Sequence, residues 1–422
     1  EKMKKITAFL LSVLTALLCA APFSSCKKEE RNNEYLLGFV DGCYDINTEV
    51  DASLTSNFLA KAVEVYGGKS FRLWMHFNRV LYVTPENEPA INREAADKFH
   101  ALISKLKAAG VERFICMTSN YLYPYEYGVT TKNAVPDPYS QRDEYEEFLT
   151  LFGKCFKILA EEFPEISYFE PTNEPDLLNG QNLCKNGYNW AGRDNGDNAD
   201  YLFSDSDNAH IVADMCYYVT EAVKSVDKKN QVLLPGLCGY SSTADYLDLI
   251  YSAIASKTLP TGKSFADTRT DSYFTILNWH PYLLGGLGAE AIDENWLKLQ
   301  KDIFAVAEKY GDGHKKVWFT EMGFTDLGSE ETEIANAENI VKTFDYVKKE
   351  LPFVETVFVF RFTNLTGAAK MSTFEDNFGL FRSLYDENAD CAGEPKPIAV
   401  ALYRYFKGEN VDLSPLYGFC RK

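Results

Sequence analysis

Two stretches decide how this chain reads: Tyr168-Phe169-Glu170-Pro171-Thr172-Asn173-Glu174-Pro175 and Val317-Trp318-Phe319-Thr320-Glu321-Met322-Gly323-Phe324. Each is a short β-prone run that gives out at a Glu. With them, at 166–172 and 316–321, belong six further runs of the same kind: 36–41, 70–77, 113–119, 231–236, 273–280 and 355–362. Helical periodicity fills the intervals. Residues 95–109 place Phe99, Leu102, Ile103 and Leu106 on one face, and 145–162 do the same with Phe148, Leu151, Phe152, Cys155, Ile158 and Leu159. Residues 334–349 and 398–406 follow the same period. Eight strands, each followed by a helix, is the count of a (β/α)8 TIM barrel. A doubly wound open sheet also alternates this way, but no G-x-G-x-x-G follows the first strand. Gly285-Gly286-Leu287-Gly288 lacks that pattern and reads as a loop. The fold class is therefore α/β, a TIM barrel with long loops on its C-terminal face.

Three intervals after strands are long, roughly 120–142, 175–207 and 364–394. In a barrel all three lie on the face where active sites are built. They carry Tyr121, Tyr123, Tyr125, Tyr127, Tyr188, Trp190 and Tyr201. Aromatic rings stack on the C–H faces of sugars, so such loops suit a glycan cleft, although each ring alone is as well explained by packing onto the rim.

Composition excludes several partners. Lys and Arg total 43 against 61 Asp and Glu, a net charge of −18. Binding a nucleic-acid backbone relies on clustered cations, so no nucleic-acid partner is expected. Five His are present, no two at a metal-ligand spacing, so neither a His-based metal centre nor an organic cofactor is expected. No C-x-x-C pair occurs. Cys116, Cys155, Cys216 and Cys238 sit in apolar runs and read as small core residues. Cys184, Cys391 and Cys420 lie in less regular stretches whose pairing the sequence leaves open. It is equally silent on oligomeric state.

The first residues read as an address. Lys4 and Lys5 precede an apolar stretch, 6–21, that is shorter than the ~20 residues of a membrane span. Phe23-Ser24-Ser25-Cys26 resembles a bacterial lipoprotein processing site, with Phe23 in place of the commoner Leu. Residues 1–25 are then a signal peptide, Cys26 is the lipidation site, 26–35 form a linker whose Lys27-Lys28-Glu29-Glu30 resembles the charged tag of surface-displayed lipoproteins, and 36–422 form one domain. Lipidation implies an exported protein held on the outer membrane or cell surface through its anchor. An ordinary cleaved signal with Cys26 a free thiol is the plainer alternative.

The two terminal Glu residues carry the chemistry. Strands four and seven lie across a barrel axis from each other, so Glu174 and Glu321 face one another at its mouth. Glycosidic cleavage needs such a pair, one protonated to serve the leaving oxygen and one ionised. Here the sequence resembles the clan A glycoside hydrolases, the retaining barrels of the family 5 and family 39 type. Asn173-Glu174-Pro175 matches their strand-four motif, which implies that Glu174 is the acid/base and that Asn173 bonds the sugar 2-hydroxyl. Thr320-Glu321 matches the strand-seven nucleophile. Arg72, in Phe71-Arg72-Leu73-Trp74, matches an Arg that holds the nucleophile, where its charge should lower the Glu321 pKa. His280 and Tyr282, in Asn278-Trp279-His280-Pro281-Tyr282, match a pair beside the two Glu residues. Asn377-Phe378-Gly379-Leu380-Phe381 and Pro395-Lys396-Pro397 resemble the end of the eighth unit. A second Asn-Glu-Pro, Asn87-Glu88-Pro89, falls in a polar loop and reads as chance.

One departure stands out. The family places a Trp near the end of strand eight, where this chain runs Phe358-Val359-Phe360-Arg361-Phe362. Phe360 or Phe362 is a substitute for that platform, and Arg361 either meets an acidic or hydroxyl-rich sugar or pairs with a nearby carboxylate. The resemblance thus implies a retaining glycosidase with a carbohydrate substrate, contacted by Arg72, Asn173, His280, Tyr282, Trp74, Trp190 and Phe362, and carboxyl groups ~5–5.5 Å apart. The alternative is a non-catalytic glycan-binding surface lipoprotein on a degenerate barrel.

Overall fold

The computed structural model describes residues 34–40, 52–118, 121–124, 134–176, 183–185, 203–256, 269–283, 291–365, 372–382, 393–417 and 419. The chain divides into two units, Glu1–Asn33 and Glu34–Lys422. The first, with Cys26 and the apolar stretch before it, lies outside the described residues, as do Trp190 and most of the three long loops.

Eight parallel strands form the second unit: β1 (Leu37–Val40), β2 (Ser70–Trp74), β3 (Arg113–Met117), β4 (Tyr168–Glu170), β5 (Gln231–Val232), β6 (Ile276–Asn278), β7 (Lys316–Met322) and β8 (Val354–Phe360). Their order is β6-β7-β8-β1-β2-β3-β4-β5. Parallel bridges Leu233↔Ile276 and Leu237↔Trp279 join the two ends, so the sheet closes on itself as a barrel. Each expected run coincides with one of these strands, with β7 running one residue past its run and β8 starting one residue before its own. Regular pairing in β4 and β5 is shorter than the apolar run.

Eight helices form the outer ring: α1 (Ala52–Tyr66), α2 (Arg93–Ala108), α3 (Arg142–Glu162), α4 (Asp205–Val226), α5 (Thr243–Ala255), α6 (Glu294–Lys309), α7 (Glu330–Glu350) and α8 (Pro397–Lys407). Local chemistry sets their ends. Asn92, Ser204 and Asp293 cap α2, α4 and α6 by accepting N–H bonds from the first turn. Pro397 opens α8, where its missing N–H costs nothing. In α2 the buried face is Ala95, Ala96, Phe99, Leu102, Ile103 and Leu106, the stripe expected from the 3.6 period. Among the described residues, no helix is long and apolar enough to cross a membrane.

Strand alternation builds two cores. Phe39, Phe71, Phe169, Leu277, Phe319 and Val357 point outward and pack under the helices. Val40, Ile115, Leu233, Ile276, Trp318, Phe358 and Phe360 point inward and fill the barrel. Each such side chain contributes roughly 1.5–3 kcal/mol by leaving water. Cys116, Cys155, Cys216 and Cys238 are buried free thiols in these layers. The second Asn-Glu-Pro forms the turn of a small hairpin, Leu81–Val83 with Pro89–Ile91, in which Asn87 takes a positive φ of 62°.

One irregularity bears on function. Between Phe319↔Val357 and Met322↔Val359, β7 holds one residue more than β8. The bulge sits at Thr320 and Glu321. Strict alternation would send these two neighbours to opposite faces; the extra residue lets both turn toward the barrel mouth.

Candidate active site

Arg72 is the centre of the site. It leaves β2 toward the barrel axis and is fully buried. Its Nε and Nη2 donate to Glu170 Oε2 and Oε1 at 2.7 and 2.8 Å. Nη2 also donates to Asn173 Oδ1 at 2.7 Å, and Nη1 to Glu321 Oε1 at 2.5 Å. One guanidinium thus ties strand ends two, four and seven together. Glu170 is anchored further by the Gly236 N–H (2.9 Å) and Asn278 Nδ2 (3.0 Å). It is the buried counter-charge that lets Arg72 sit in the barrel.

Glu174 follows directly. Its backbone is in the left-handed region, φ 45°, which a non-glycine residue adopts only when neighbours impose it. The neighbour here is Gly236, whose carbonyl accepts from the Glu174 N–H at 2.8 Å, while Asn173 bridges to the same glycine. The Glu174 carboxyl meets His280 Nδ1 at 2.8 Å. Burial, then the charge of Asp176, push its pKa up to about 8, against the lowering effect of Arg72. Asp176 is held by the Cys238 N–H and by Thr243 Oγ1 at the start of α5.

Glu321, released inward by the bulge, accepts from Arg72 on one oxygen and from the Tyr282 hydroxyl on the other at 2.9 Å. The expectation that Arg72 holds its pKa low needs correction. Arg72 does pull downward, but burial is the larger effect and the carboxyl ends above its ordinary value. Arg72 and the Tyr282 hydroxyl favour the ionised form of Glu321, whereas Arg72 alone among the causes opposes protonation of Glu174. A proton shared between the two carboxyls therefore resides on Glu174. His280 itself is fully buried, and desolvation lowers its pKa to about 4, so its imidazole is neutral at neutral pH. Burial and the nearby Glu321 carboxylate hold the Tyr282 phenol well above its usual range.

Six residues singled out from the sequence thus converge: Arg72, Asn173, Glu174, His280, Tyr282 and Glu321. Trp74 joins them at the rim, its ring 5.7 Å from the Arg72 guanidinium carbon and edge-on to His76, which in turn meets Tyr121. The indole N–H of Trp74 is buried without a partner. Phe362 is a correction. It stacks on Phe39 at 4.4 Å in the outer core, because the side chain faces the helices, and it does not reach the mouth. Phe360, which faces the inside of the barrel, packs against Tyr282 and Phe378. Arg361 is fully buried and donates from Nη2 to the Glu375 carbonyl at 2.6 Å, so it lines no open surface. Tyr123 packs into the core on Phe148.

Sequence reasoning passed over Glu170, Asn278, Thr320, Asp176 and Gly236. For the first two a signal existed, a charged or amide side chain inside an otherwise apolar strand. Glu174, His280 and Glu321 are the one group of three ligand-type residues among the described residues, with one ligand atom from each within 4.8 Å of the others. Both His280 nitrogens, both Glu321 oxygens and Glu174 Oε1 already have protein partners, Thr320 for His280 Nε2 included, and the chemistry suits a proton better than a metal ion.

No family model matches the chain, and no curated protein sequence does either. Solved structures do match. The structural neighbours are family 39 and family 5 glycoside hydrolases. One is a family 39 glycoside hydrolase from the gut symbiont Bacteroides cellulosilyticus WH2, at 16% identity and TM-score 0.53, over 89% of this chain and 64% of that one. Another is a family 5 xyloglucan-specific endo-beta-1,4-glucanase from a metagenomic library, solved with cellotriose, at 15% identity and TM-score 0.53, over 89% and 97%. A monomeric beta-xylosidase from Caulobacter crescentus CB15 matches at 15% identity and TM-score 0.56, over 89% and 68%. The chain spans somewhat under two thirds of the family 39 neighbour's length. At such identities the likeness is one of fold: a closed parallel eight-stranded barrel.

Proposed function

We propose that this chain is a retaining glycoside hydrolase that cleaves β-glycosidic bonds of a poly- or oligosaccharide, with Glu174 as acid/base and Glu321 as nucleophile. The observation that carries the reading is the spacing of the pair: an oxygen of each carboxyl lies within 4.8 Å of the other. Retention uses carboxyls ~5–5.5 Å apart, whereas inversion needs ~6.5–9.5 Å to admit a water between carboxylate and sugar.

In the first step a Glu321 oxygen attacks the anomeric carbon while Glu174 gives its proton to the departing glycosidic oxygen. The bond to the leaving group breaks as the glycosyl ester forms. In the second step Glu174, now a carboxylate, takes a proton from water, and that water's oxygen displaces Glu321 from the same carbon. Both proton movements are served by a group with pKa about 8, protonated at rest and a competent base once emptied. Arg72 and Tyr282 hold both Glu321 oxygens in place, which spares reorganisation when its charge is consumed. Arg72 on Asn173 Oδ1 fixes that amide, so that its NH2 faces the sugar 2-hydroxyl. Trp74 and Phe360 supply the apolar walls. The neighbours named above differ in substrate, so no particular sugar is carried over.

The test is a glycan panel with products followed by NMR from the first turnover. The β-anomer should appear first, and Glu321→Gln should abolish turnover with its melting temperature kept. Binding without turnover in the unaltered protein would favour the glycan-binding alternative instead. We further propose that the protein is exported and lipid-anchored at Cys26. Incorporation of labelled fatty acid, lost in Cys26→Ala, is the check.

A further inference from the structure

Behind the carboxyl pair runs a chain of buried polar groups that the reaction above does not use. Asn278 Nδ2 donates to Glu170 Oε1 at 3.0 Å. Glu170 is a carboxylate ion-paired to Arg72, so it only accepts, and this fixes which end of the Asn278 amide is oxygen. Asn278 Oδ1 then faces Thr320, receiving the hydroxyl at 2.8 Å and the Thr320 N–H at 3.3 Å. A hydroxyl has one proton to give. With that proton committed to Asn278, Thr320 Oγ1 can only accept from its other neighbour, His280 Nε2, at 3.0 Å. The neutral imidazole carries one N–H, so placing it on Nε2 leaves Nδ1 with a lone pair. Nδ1 faces Glu174 Oε1 at 2.8 Å, and that contact requires a proton supplied by Glu174. All three links, Asn278, Thr320 and His280, are completely buried, so water does not rescue a misplaced proton.

We infer that Asn278 and Thr320 are positioning residues that hold His280 as its Nε2–H tautomer and thereby keep the catalytic proton on Glu174 in the resting site. The bulge in β7 gains a second purpose: it brings Thr320 to His280 at the same time as Glu321 to Arg72. The charged and titratable groups facing His280 agree with this. Glu174 from the β4 end and Glu321, 3.7 Å away on β7, are acidic, and Arg72 on β2 is a cation offset by Glu170 on β4. Tyr282, on its own strand end, turns its ring edge-on and spends its hydroxyl on Glu321. From the residues after β5, the Leu237 carbonyl accepts from the His280 backbone N–H at 2.7 Å, and Gly236 brings its backbone against the ring. Burial outweighs these charges and keeps the ring neutral, as the tautomer argument needs.

The acid role rests on the glycosidase reading, but the tautomer does not, and the experiment separates them. Nitrogen-15 NMR of histidine-labelled protein, with His280 identified by its absence in His280→Gln, should show Nε2 protonated and Nδ1 bare at neutral pH. Thr320→Val should move the proton to Nδ1, which then donates to an ionised Glu174; Thr320→Ser should keep the original tautomer. In kinetics, Thr320→Val should lower the pKa of the high-pH limb of kcat/KM. It should also cost at least ~10-fold more on substrates with poor leaving groups than on activated aryl glycosides, which need no acid. Equal losses on both substrate types, with the limb unmoved, would mark Thr320 as merely structural and overturn the inference. A Nδ1–H tautomer or an imidazolium in the unaltered protein would overturn it whether or not any glycan is cleaved. If no glycan turns over while the Nε2–H tautomer is found and Thr320→Val moves it, the positioning role stands and the glycosidase reading falls.

Discussion

Gly236→Ala should disable the site through a single methyl group. The backbone at Gly236 is one that alanine adopts without strain, so the effect is purely one of space. A Cβ there would lie 2.1 Å from His280 Nε2, and 2.8 and 2.9 Å from Cε1 and Cδ2. Ordinary contact begins at 3.4 Å, so the ring must retreat by about 1.3 Å. The ring is held at both nitrogens, to Glu174 at 2.8 Å and to Thr320 at 3.0 Å, and a retreat of that size breaks at least one of these bonds. Overpacking of this kind costs ~1–3 kcal/mol of stability. Misplacing the group that orients the acid by ~1 Å costs on the order of 100-fold in rate. The assay is kcat/KM on the substrate identified by the glycan panel, beside a urea melt at pH 6. A variant with kcat/KM within twofold of the parent and an unchanged melt would refute the argument that His280 is seated against Gly236.

Two pH experiments address Glu174. Asp176→Asn removes the nearby charge that raises the Glu174 pKa, so the proton is lost at lower pH; the high-pH limb of kcat/KM should shift downward while the low-pH limb stays. A limb that stays in place would show that Asp176 acts only as an anchor for Cys238 and Thr243. For stability the sign runs against the charged form. Above pH 4.5 an unfolded Glu ionises freely, while folded Glu174 keeps its proton up to about pH 8. Folding is therefore penalised progressively across that window, at ~1.4 kcal/mol per pH unit, and the penalty is absent in Glu174→Gln. Urea melts at pH 5 and pH 8 should show the variant gaining a few kcal/mol, roughly, relative to the parent. An unchanged difference would mean that the carboxyl titrates normally.

The barrel was legible because its signals are local. Each of the eight apolar runs overlaps its strand, and stripes such as Phe99, Leu102, Ile103 and Leu106 face inward as their period requires. The candidate carboxyl pair was legible as Glu residues where apolar strands end, and Arg72 as a charge inside one. Phe362 failed for a reason of the same kind in reverse. Alternation puts Phe358 and Phe360 inside and Phe362 would follow them, but the chain leaves the ladder after Phe360 and Phe362 falls beside Phe39. A departure from a periodic pattern is set by tertiary pairing, and no residue type announces it.

The same limit explains why Thr320 and Asn278 went unread. A Thr before a Glu on a regular strand points away from the Glu's site, so sequence alone excludes it from the chemistry. Only the extra residue in β7 reverses that inference, and a bulge is a relation between two strands. The positive φ at Glu174 is a second such relation, imposed by the Gly236 carbonyl on the next strand. Both deviations place a candidate catalytic carboxyl where regular geometry would not, and both lie at strand ends, where few ladder hydrogen bonds are forfeited. The rest of the barrel supplies the stability, while its rim carries the departures that set where the proton rests. Changes at the rim, such as Thr320→Val or Asp176→Asn, should accordingly alter proton affinity far more than they alter folding.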